Sequence, residues 1–198
     1  MFHLMRLLAL ALTCVAVLSA CSDNTAPPDP PGPDLITEPV DADELMAVLA
    51  FAHDTRDIAR YRFILHTDYR FIGLQAVEFD HDQDLGVFEY WCQGIAGEQG
   101  IAFEDITTVE MTGVGPWQAV TADDPVFGDV ADAVSRTYQL GLDLQVAGQQ
   151  LIYQVRGQAV FYVTITDGVH RLRGVIDQTQ DNRAAERVSW TAAKMIFY

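Results

Sequence analysis

Apolar and polar residues alternate over a long stretch, residues 149–176, with one break at Asp167-Gly168. Before the break the run is rich in Val, Ile, Tyr, Phe and Thr, the residues that suit a pleated, half-buried surface. Asp-Gly favours a type I′ turn, because both central residues of that turn need positive φ. The pattern predicts a hairpin whose first strand, at about 15 residues, is far longer than the usual 5 or 6. We expect this strand to bend and the rest of the chain to cover one of its faces.

Helical spacing of apolar residues comes earlier in the chain. It predicts a helical region over residues 41–61, with a break at 55–57 where Asp57 caps a second helix. A third helix is predicted from residue 85 to about residue 96, with Asp84 as its cap. The first half of the chain is therefore expected to be mainly helical.

Shorter patterns predict the remaining elements. They are a strand over residues 69–72, a strand over 101–111, a loop over 113–124 that contains Trp117, a short helix over 126–134 and an alternating strand over 135–146. Together the patterns predict an α+β fold, in which N-terminal helices pack on a strongly curved antiparallel β-sheet that extends from about residue 101 to 198.

Residues 1–20 are predicted to be a signal peptide. Arg6 precedes an apolar run that is shorter than the roughly 20 residues of a membrane span. Leu18-Ser19-Ala20-Cys21 resembles the lipobox of bacterial lipoproteins, which implies cleavage before Cys21 and lipid on its sulfur. The alternative is an ordinary secretory signal with a chance cysteine. Ser22, where an aspartate tends to retain a lipoprotein at the inner membrane, suggests the periplasmic side of the outer membrane.

Residues 21–40 are predicted to be a tether, and residues 41–198 a single domain. Residues 22–40 contain six of the eight prolines, so that stretch should stay extended and act as a spacer. The domain has a length typical of one hydrophobic core. Once Cys14 is removed and Cys21 is acylated, Cys92 has no disulfide partner within the chain. We interpret Cys92 as a small buried side chain on a helix.

The net charge of −16 makes some partners poor candidates. Acidic residues are concentrated before residue 133, whereas the sheet half is close to neutral. Such a surface repels nucleic acid and anionic lipid, so no nucleic-acid partner is expected. The sheet half is the more favourable place for an anionic ligand.

Two sections of the chain resemble NTF2-like (SnoaL-like) domains. Residues 48–61 and 65–71 are similar to the opening of these domains, with a helix, an Arg56-Asp57 pair, a short helix, then an acid, an aromatic residue and a strand. Residues 189–198 are similar to their last strand. The resemblance implies a curved antiparallel sheet wrapped round helices to form a cone with an apolar cavity, and a homodimer through the sheet face.

The sequence contains little that indicates catalysis. In a steroid isomerase of this fold, the positions of the catalytic tyrosine and acid correspond, by an ungapped count, to Leu49 and Gly73, which cannot perform acid–base chemistry. No zinc-ligand pair, nucleophile elbow or phosphate loop occurs, so neither a cofactor nor a metal is expected. Residues 80–84 space acids as calcium loops do, but Leu85 and Trp91 occupy the places of the required glycine and glutamate. We interpret these acids as a solvated helix-capping loop, with a divalent cation as the alternative.

Several residues are candidates for a site. His66 and Asp68 are the candidate acid–base pair, near the start of a strand that could border the cavity. Arg171 and Arg173 should share a face by strand alternation, and would hold an anion if that face is concave or be solvated if it is convex. The full set of candidate ligand contacts is Tyr69, Trp91, Tyr138, Arg171, Arg173 and Trp190.

The sequence predicts an envelope lipoprotein whose NTF2-like domain is a non-catalytic small-molecule-binding or protein-interaction module. Its expected partners are the membrane, through the lipid anchor, a small apolar ligand and a second copy of the chain. The alternative is a cofactor-independent hydrolase or isomerase that uses a carboxylate or histidine of the pocket. The fold supports both kinds of role, so the site has to distinguish them.

The lipid anchor can be tested by metabolic labelling with palmitate. We expect the wild-type chain to be labelled and membrane-bound, and Cys21→Ser to lose both properties because acyl chains supply the anchoring free energy. Cys92→Ser is the matched control and should keep the label. Label on the Cys21→Ser protein would contradict the assignment.

Overall fold

The structure is a computed structural model in which residues 38–179 and 187–197 are described. The predicted signal peptide, Cys21 and the tether up to residue 37 lie outside the described residues. Within the described residues, no helix has the length and apolarity needed to cross a membrane.

Four α-helices and seven β-strands are described. The helices are α1 (Ala42–Thr55), α2 (Ile58–Ile64), α3 (His81–Gln93) and α4 (Trp190–Met195). The strands are β1 (Leu65–Ile72), β2 (Glu78–Asp80), β3 (Phe103–Ala119), β4 (Val134–Val146), β5 (Ile152–Thr166), β6 (Val169–Asp177) and β7 (Arg187–Val188). A short 3₁₀ turn, Leu74–Ala76, joins β1 to β2.

The predicted break between the first two helices is confirmed. The Asp41 carboxylate accepts a hydrogen bond from the Glu44 amide and caps α1. Arg56 ends α1 in the left-handed conformation, with φ 54°. The Asp57 carboxylate then accepts from the Arg60 amide, which starts α2.

The prediction that Asp84 caps the third helix is wrong. Helix α3 begins at His81, and its cap is Asp80, which forms a reciprocal capping box with Gln83. Asp84 therefore lies one turn inside the helix, on the same face as Phe88 and Trp91. Its side chain is fully buried.

The predicted fold class is confirmed: helices at the N-terminal side pack against a large, curved, mostly antiparallel sheet. The strand order is β2-β1-β6-β5-β4-β3, and β7 pairs with β5 beyond the end of β6. Strand β1 pairs with β6 in parallel, whereas the sequence predicted only antiparallel pairing. The long connection between these two strands makes a parallel pairing possible.

The central hairpin forms as the alternating pattern predicts. Asp167 and Gly168 have φ values of 53° and 81°, and join a 15-residue β5 to β6. A register shift between Tyr162 and Val163 interrupts the pairing of the two strands. Such an irregularity lets a long strand bend.

Two predictions for the middle of the chain are wrong. The segment 113–124 is largely strand, because β3 continues to Ala119 across a register shift that contains Gly115 at φ 73°. The segment 126–134 forms turns rather than a helix. Phe127 within it is buried and packs on Tyr162, with ring centroids 4.3 Å apart. This tertiary contact outweighs the weak helical pattern of the segment.

The closing segment is a helix and not the predicted last strand. Ser189 caps α4, and its hydroxyl accepts a hydrogen bond from the Ala192 amide at 3.0 Å. Trp190, Ala193 and Lys194 fall on one helical face and are all buried. A helix presents these three side chains to the same interior, whereas a strand would point neighbours in opposite directions.

Gly174 in β6 provides a test of how Phe127 packs against this strand. A Cβ at this position would lie 2.8 Å from the Arg70 carbonyl oxygen and collide with the Phe127 ring. We expect Gly174→Ala to lower the free energy of unfolding by about 1–3 kcal/mol through overpacking. Gly86→Ala is the matched control, because a Cβ on this α3 residue meets nothing within 4 Å.

The control should raise the free energy of unfolding by about 0.5–1 kcal/mol through helix propensity. Urea unfolding followed by tryptophan fluorescence measures both changes. A Gly174→Ala protein as stable as the wild type would show that Phe127 does not pack against β6.

Candidate functional site

A buried ion pair lies inside the cone. The Lys194 Nζ atom of α4 is 2.6 Å from Oδ1 of Asp84 in α3, and their side chains are 2% and 0% exposed. The Tyr61 hydroxyl of α2 donates to the other carboxylate oxygen, Oδ2, at 2.5 Å. Both oxygens of Asp84 are thus engaged by the protein itself.

Aromatic rings surround the ammonium group of Lys194. The Nζ atom lies 5.0 Å from the ring centroid of Phe71, 5.3 Å from Trp190 and 5.5 Å from Trp91. At these distances the negative faces of the rings attract the cation. The indole nitrogens of Trp91 and Trp190 are buried without a hydrogen-bond partner among the described residues.

The neighbouring titratable groups are kept neutral by burial. Burial lowers the pKa of His53 to about 4, and its Nδ1 atom pairs with the Leu49 carbonyl at 2.8 Å. Burial raises the pKa of Tyr61 well above its ordinary value, and the Asp84 carboxylate adds to the rise. Burial and Asp84 likewise raise the pKa of Tyr69, although its interaction with the Tyr61 hydroxyl opposes the rise. This interior cluster is arranged to satisfy its own charges.

A groove opens between α1 and the concave side of the sheet, and we call it the α1–β4 groove. Its volume is about 390 Å³. It is lined by Asp43, Met46, Ala47 and Ala50 of α1, Met111, Thr112 and Gly113 of β3, and Arg136 and Tyr138 of β4. The groove therefore combines an apolar wall with a charged end.

Three donors meet on one carboxylate oxygen at the charged end of the groove. Oδ1 of Asp43 accepts from Arg136 Nη1 at 2.7 Å, from Trp117 Nε1 at 3.0 Å and from the Tyr138 hydroxyl at 3.3 Å. The guanidinium carbon of Arg136 lies 5.3 Å from the Tyr138 ring and 5.9 Å from the Trp117 ring. Burial raises the pKa of Tyr138 to about 12, so this hydroxyl is a donor at neutral pH.

The residues predicted to contact a ligand lie in different parts of the structure. Trp91 and Trp190 lie together in the interior on Lys194, and Tyr69 is buried close to Tyr61. Tyr138 lines the α1–β4 groove. Tyr69 and Arg173 also line, together with Asp68, a separate surface pocket of about 360 Å³.

His66 and Asp68 lie apart from both the interior and the α1–β4 groove, on β1. The Asp68 amide donates to His66 Nδ1 at 2.9 Å. Burial lowers the pKa of His66, and Arg173 lowers it further, so the ring is neutral at pH 7. The side chain of Asp68 is 72% exposed.

The two arginines of β6 contact the helix–strand junction beside His66. Arg171 Nη1 donates to the Phe63 carbonyl, and its guanidinium carbon stands 4.0 Å from the Phe63 ring centroid. Arg173 Nη2 is 4.0 Å from Asp68 Oδ2. The strict alternation of side chains along β6 is interrupted here, because the register shift leaves Arg173 without a partner residue in β5.

The remaining candidate groups, Cys92 and the acids of residues 80–84, make contacts within the protein itself. Cys92 lies on α3 as predicted, is half-buried, and has its pKa raised to about 12 by burial. Asp80 caps α3, and Asp82 Oδ1 lies 2.8 Å from His81 Nδ1. Within residues 38–179 and 187–197, no three His, Cys, Asp or Glu side chains are grouped to hold a metal ion.

Sequence reasoning did not find the Asp84–Lys194 pair or the donors around Asp43. One signal for the pair was available, since Lys194 is the only lysine in the chain and lies in an otherwise apolar closing segment. The donors gave no such signal, because Trp117, Arg136 and Asp43 are far apart in sequence.

Comparisons with known proteins support the fold. No family profile and no curated protein sequence matches the chain. A protein from Novosphingobium aromaticivorans, provisionally described as a scytalone dehydratase, has a similar structure with a TM-score of 0.52 and 10% identity, over 75% of this chain and 89% of that chain. A second protein from that organism, provisionally described as an aromatic ring hydroxylase, gives 0.51 and 15%, over 72% and 89%.

A structure from Cytophaga hutchinsonii described as NTF2-like has a TM-score of 0.43 and 13% identity, over 67% of this chain and 90% of that chain. The chain shares its fold with the two Novosphingobium aromaticivorans structures, in agreement with the NTF2-like fold that the sequence predicted. At these identities the likeness concerns the fold alone, and function has to be argued from the residues of this chain.

The buried ion pair can be tested with a double-mutant series. We expect Lys194→Met to lower the free energy of unfolding by about 3–5 kcal/mol, because it leaves Asp84 buried and unpaired. The double variant Asp84→Leu/Lys194→Met should recover most of the loss, since it removes both charges. Urea unfolding measures both values.

Arg62→Met is the surface control. Arg62 Nη2 is 2.7 Å from Glu89 Oε1, but the two side chains are 57% and 35% exposed. We expect it to change the free energy of unfolding by less than about 1 kcal/mol. A Lys194→Met variant that behaves like this control would show that the pair is not buried in solution.

Proposed function

We propose that the chain is a non-catalytic, small-molecule-binding module of NTF2-like fold, which holds its ligand in the α1–β4 groove. We further propose that lipid on Cys21 anchors it at the periplasmic side of a bacterial outer membrane. The observation that carries the binding proposal is the contrast between two polar clusters. The charges of the interior are occupied by one another, whereas those of the groove lie beside an open, partly apolar space.

The interior groups are poor catalysts as they stand. A general base has to reach its substrate, and the Asp84 side chain is 0% exposed and is bound by Lys194 and Tyr61. The Lys194 ammonium is enclosed by three aromatic rings. His53 is fully buried and its Nδ1 is engaged by a backbone carbonyl. These contacts favour a structural role for the interior cluster.

The groove has the properties of a ligand site. Small-molecule sites are usually concave spaces of about 300–1,000 Å³ with apolar walls and a few polar groups that fix orientation. The α1–β4 groove has a volume of about 390 Å³, with Met46 and Met111 on its walls. Methionine side chains adapt to different apolar shapes, so these walls suit a hydrocarbon or aromatic body.

The alternative of a hydrolase or isomerase rests on His66 and Asp68. Two structural neighbours carry enzyme names, which makes catalysis compatible with the fold. In this chain, however, His66 Nδ1 accepts the Asp68 amide and Asp68 faces solvent. Neither residue lines the α1–β4 groove. These observations favour binding over catalysis.

Fluorescence titration with phenylnaphthylamine (NPN), a neutral aromatic probe, tests the binding proposal. The mature chain from residue 21 with Cys21→Ser removes acyl chains that would themselves take up the probe. We expect saturable binding of one NPN per chain, weakened about tenfold or more by Ala47→Glu, because that change places a carboxylate within the apolar wall.

Ala147→Glu is the matched control, since Ala147 is an exposed turn residue that does not line the groove. It adds the same charge and should leave NPN affinity unchanged within about twofold. Absence of saturable binding, or equal weakening by both variants, would overturn the proposed function.

A further inference from the structure

Three donors at the charged end of the α1–β4 groove converge on one oxygen of Asp43. Oδ1 of Asp43 receives hydrogen bonds from Arg136, Trp117 and Tyr138, and the one from Tyr138 is long at 3.3 Å. A carboxylate oxygen offers two lone pairs, so three donors compete for two places. The Nε atom of Arg136 is buried without a hydrogen-bond partner among the described residues. The donors of Arg136, Trp117 and Tyr138 together define a position for one anionic oxygen, which Asp43 occupies.

Arg136 is held in place by its surroundings. Its guanidinium group packs beside the Tyr138 and Trp117 rings, and its side chain is 20% exposed. Gly113 of β3 leaves the space that the guanidinium occupies, because a Cβ there would collide with Cζ, Nε and Nη2 of Arg136. A preorganised guanidinium loses little freedom when it binds a planar anion.

Asp43, by contrast, is easily replaced. Its side chain is 65% exposed, and the cap of α1 is Asp41 rather than Asp43. Because Asp43 is the solvated partner, its removal should cost less than breaking a pair that is buried on both sides, such as Asp84–Lys194. Movement of Asp43 into solvent would free the donors of Arg136, Trp117 and Tyr138 together.

We propose that the α1–β4 groove binds an organic anion, a carboxylate or sulfonate with an apolar body, whose acidic group replaces Asp43 on Arg136, Trp117 and Tyr138. This inference rests on the proposed binding function and adds the chemical class of the ligand. The anion accepts the hydrogen bonds that Arg136 Nη1, Trp117 Nε1 and the Tyr138 hydroxyl give to Asp43 when the groove is empty. The apolar body lies along Met46, Ala47 and Met111. Asp43 acts as an internal competitor that occupies the anion position when the groove is empty.

A pair of probes isolates the acidic group. Anilinonaphthalene sulfonate (ANS) and NPN share one aromatic body, and only ANS carries an anion. With the unacylated mature chain at low salt, we expect Arg136→Gln to weaken ANS about tenfold or more, because the charge-assisted hydrogen bond from the guanidinium is lost. We expect Asp43→Asn to tighten ANS binding several-fold, to about tenfold, because the competing carboxylate is removed. NPN affinity is the reference for general effects on the groove, and in both variants the change in ANS affinity should exceed the change in NPN affinity several-fold.

Matched controls remove the same charges elsewhere. Asp105→Asn removes an exposed acid of β3, and Arg62→Gln an exposed base of α2, both outside the groove. If Asp105→Asn tightened ANS as much as Asp43→Asn, the effect would be general charge attraction and the inference would be overturned.

The outcomes separate this inference from the proposed function. NPN binding with ANS affinity insensitive to both groove variants overturns the inference and leaves the proposed function standing. Absence of saturable NPN binding overturns the proposed function. Should Arg136→Gln fail to fold, the comparison of Asp43→Asn with Asp105→Asn still decides, because both substitutions are exposed and only a displaceable carboxylate predicts the larger gain in ANS affinity for Asp43→Asn.

Discussion

The fold of this chain depends on one buried charge and its partner. Asp84 enters the interior because Asp80 and Gln83 close the capping box one turn earlier, which directs the next acid toward the core. Lys194 then brings α4 into the cone, and Tyr61 brings α2 to the same carboxylate. Such a pair adds little net stability compared with apolar residues, but either charge alone is costly. Its contribution is therefore one of specificity, because only an arrangement that joins α2, α3 and α4 satisfies it.

The need to pair buried charges also distinguishes the interior cluster from the α1–β4 groove. The charges deep in the cone have complementary partners and low exposure, so little binding free energy is left for a ligand. At the α1–β4 groove the balance is reversed, because one exposed carboxylate serves several donors on a rigid strand. In this chain the interior is occupied by its own side chains, and the proposed binding site lies instead at the edge between helix and sheet.

The sequence predicts what depends on neighbouring residues. The breaks and caps at Asp41 and Asp57, and the hairpin at Asp167-Gly168, follow from local hydrogen bonding and turn geometry. Features that depend on contacts between distant residues could not be predicted from local sequence patterns. The helix α4, the parallel pairing of β1 with β6, and the turns around Phe127 each depend on residues far away in the chain. The candidate site follows the same rule, since periodicity identified Tyr138 as an inward residue but could not bring Asp43 and Trp117 beside it.

Because the chain has a single lysine, the buried Asp84–Lys194 pair can be followed by chemical modification. Lys194 is the only lysine of the chain, and its side chain is 2% exposed. A reagent that acylates amines therefore meets no accessible lysine side chain while the interior is closed. Modification of Lys194 requires at least a local opening that moves α4 away from α3, and its rate reports the free energy of that opening. The native chain thus carries its own chemical probe for how often the cone opens.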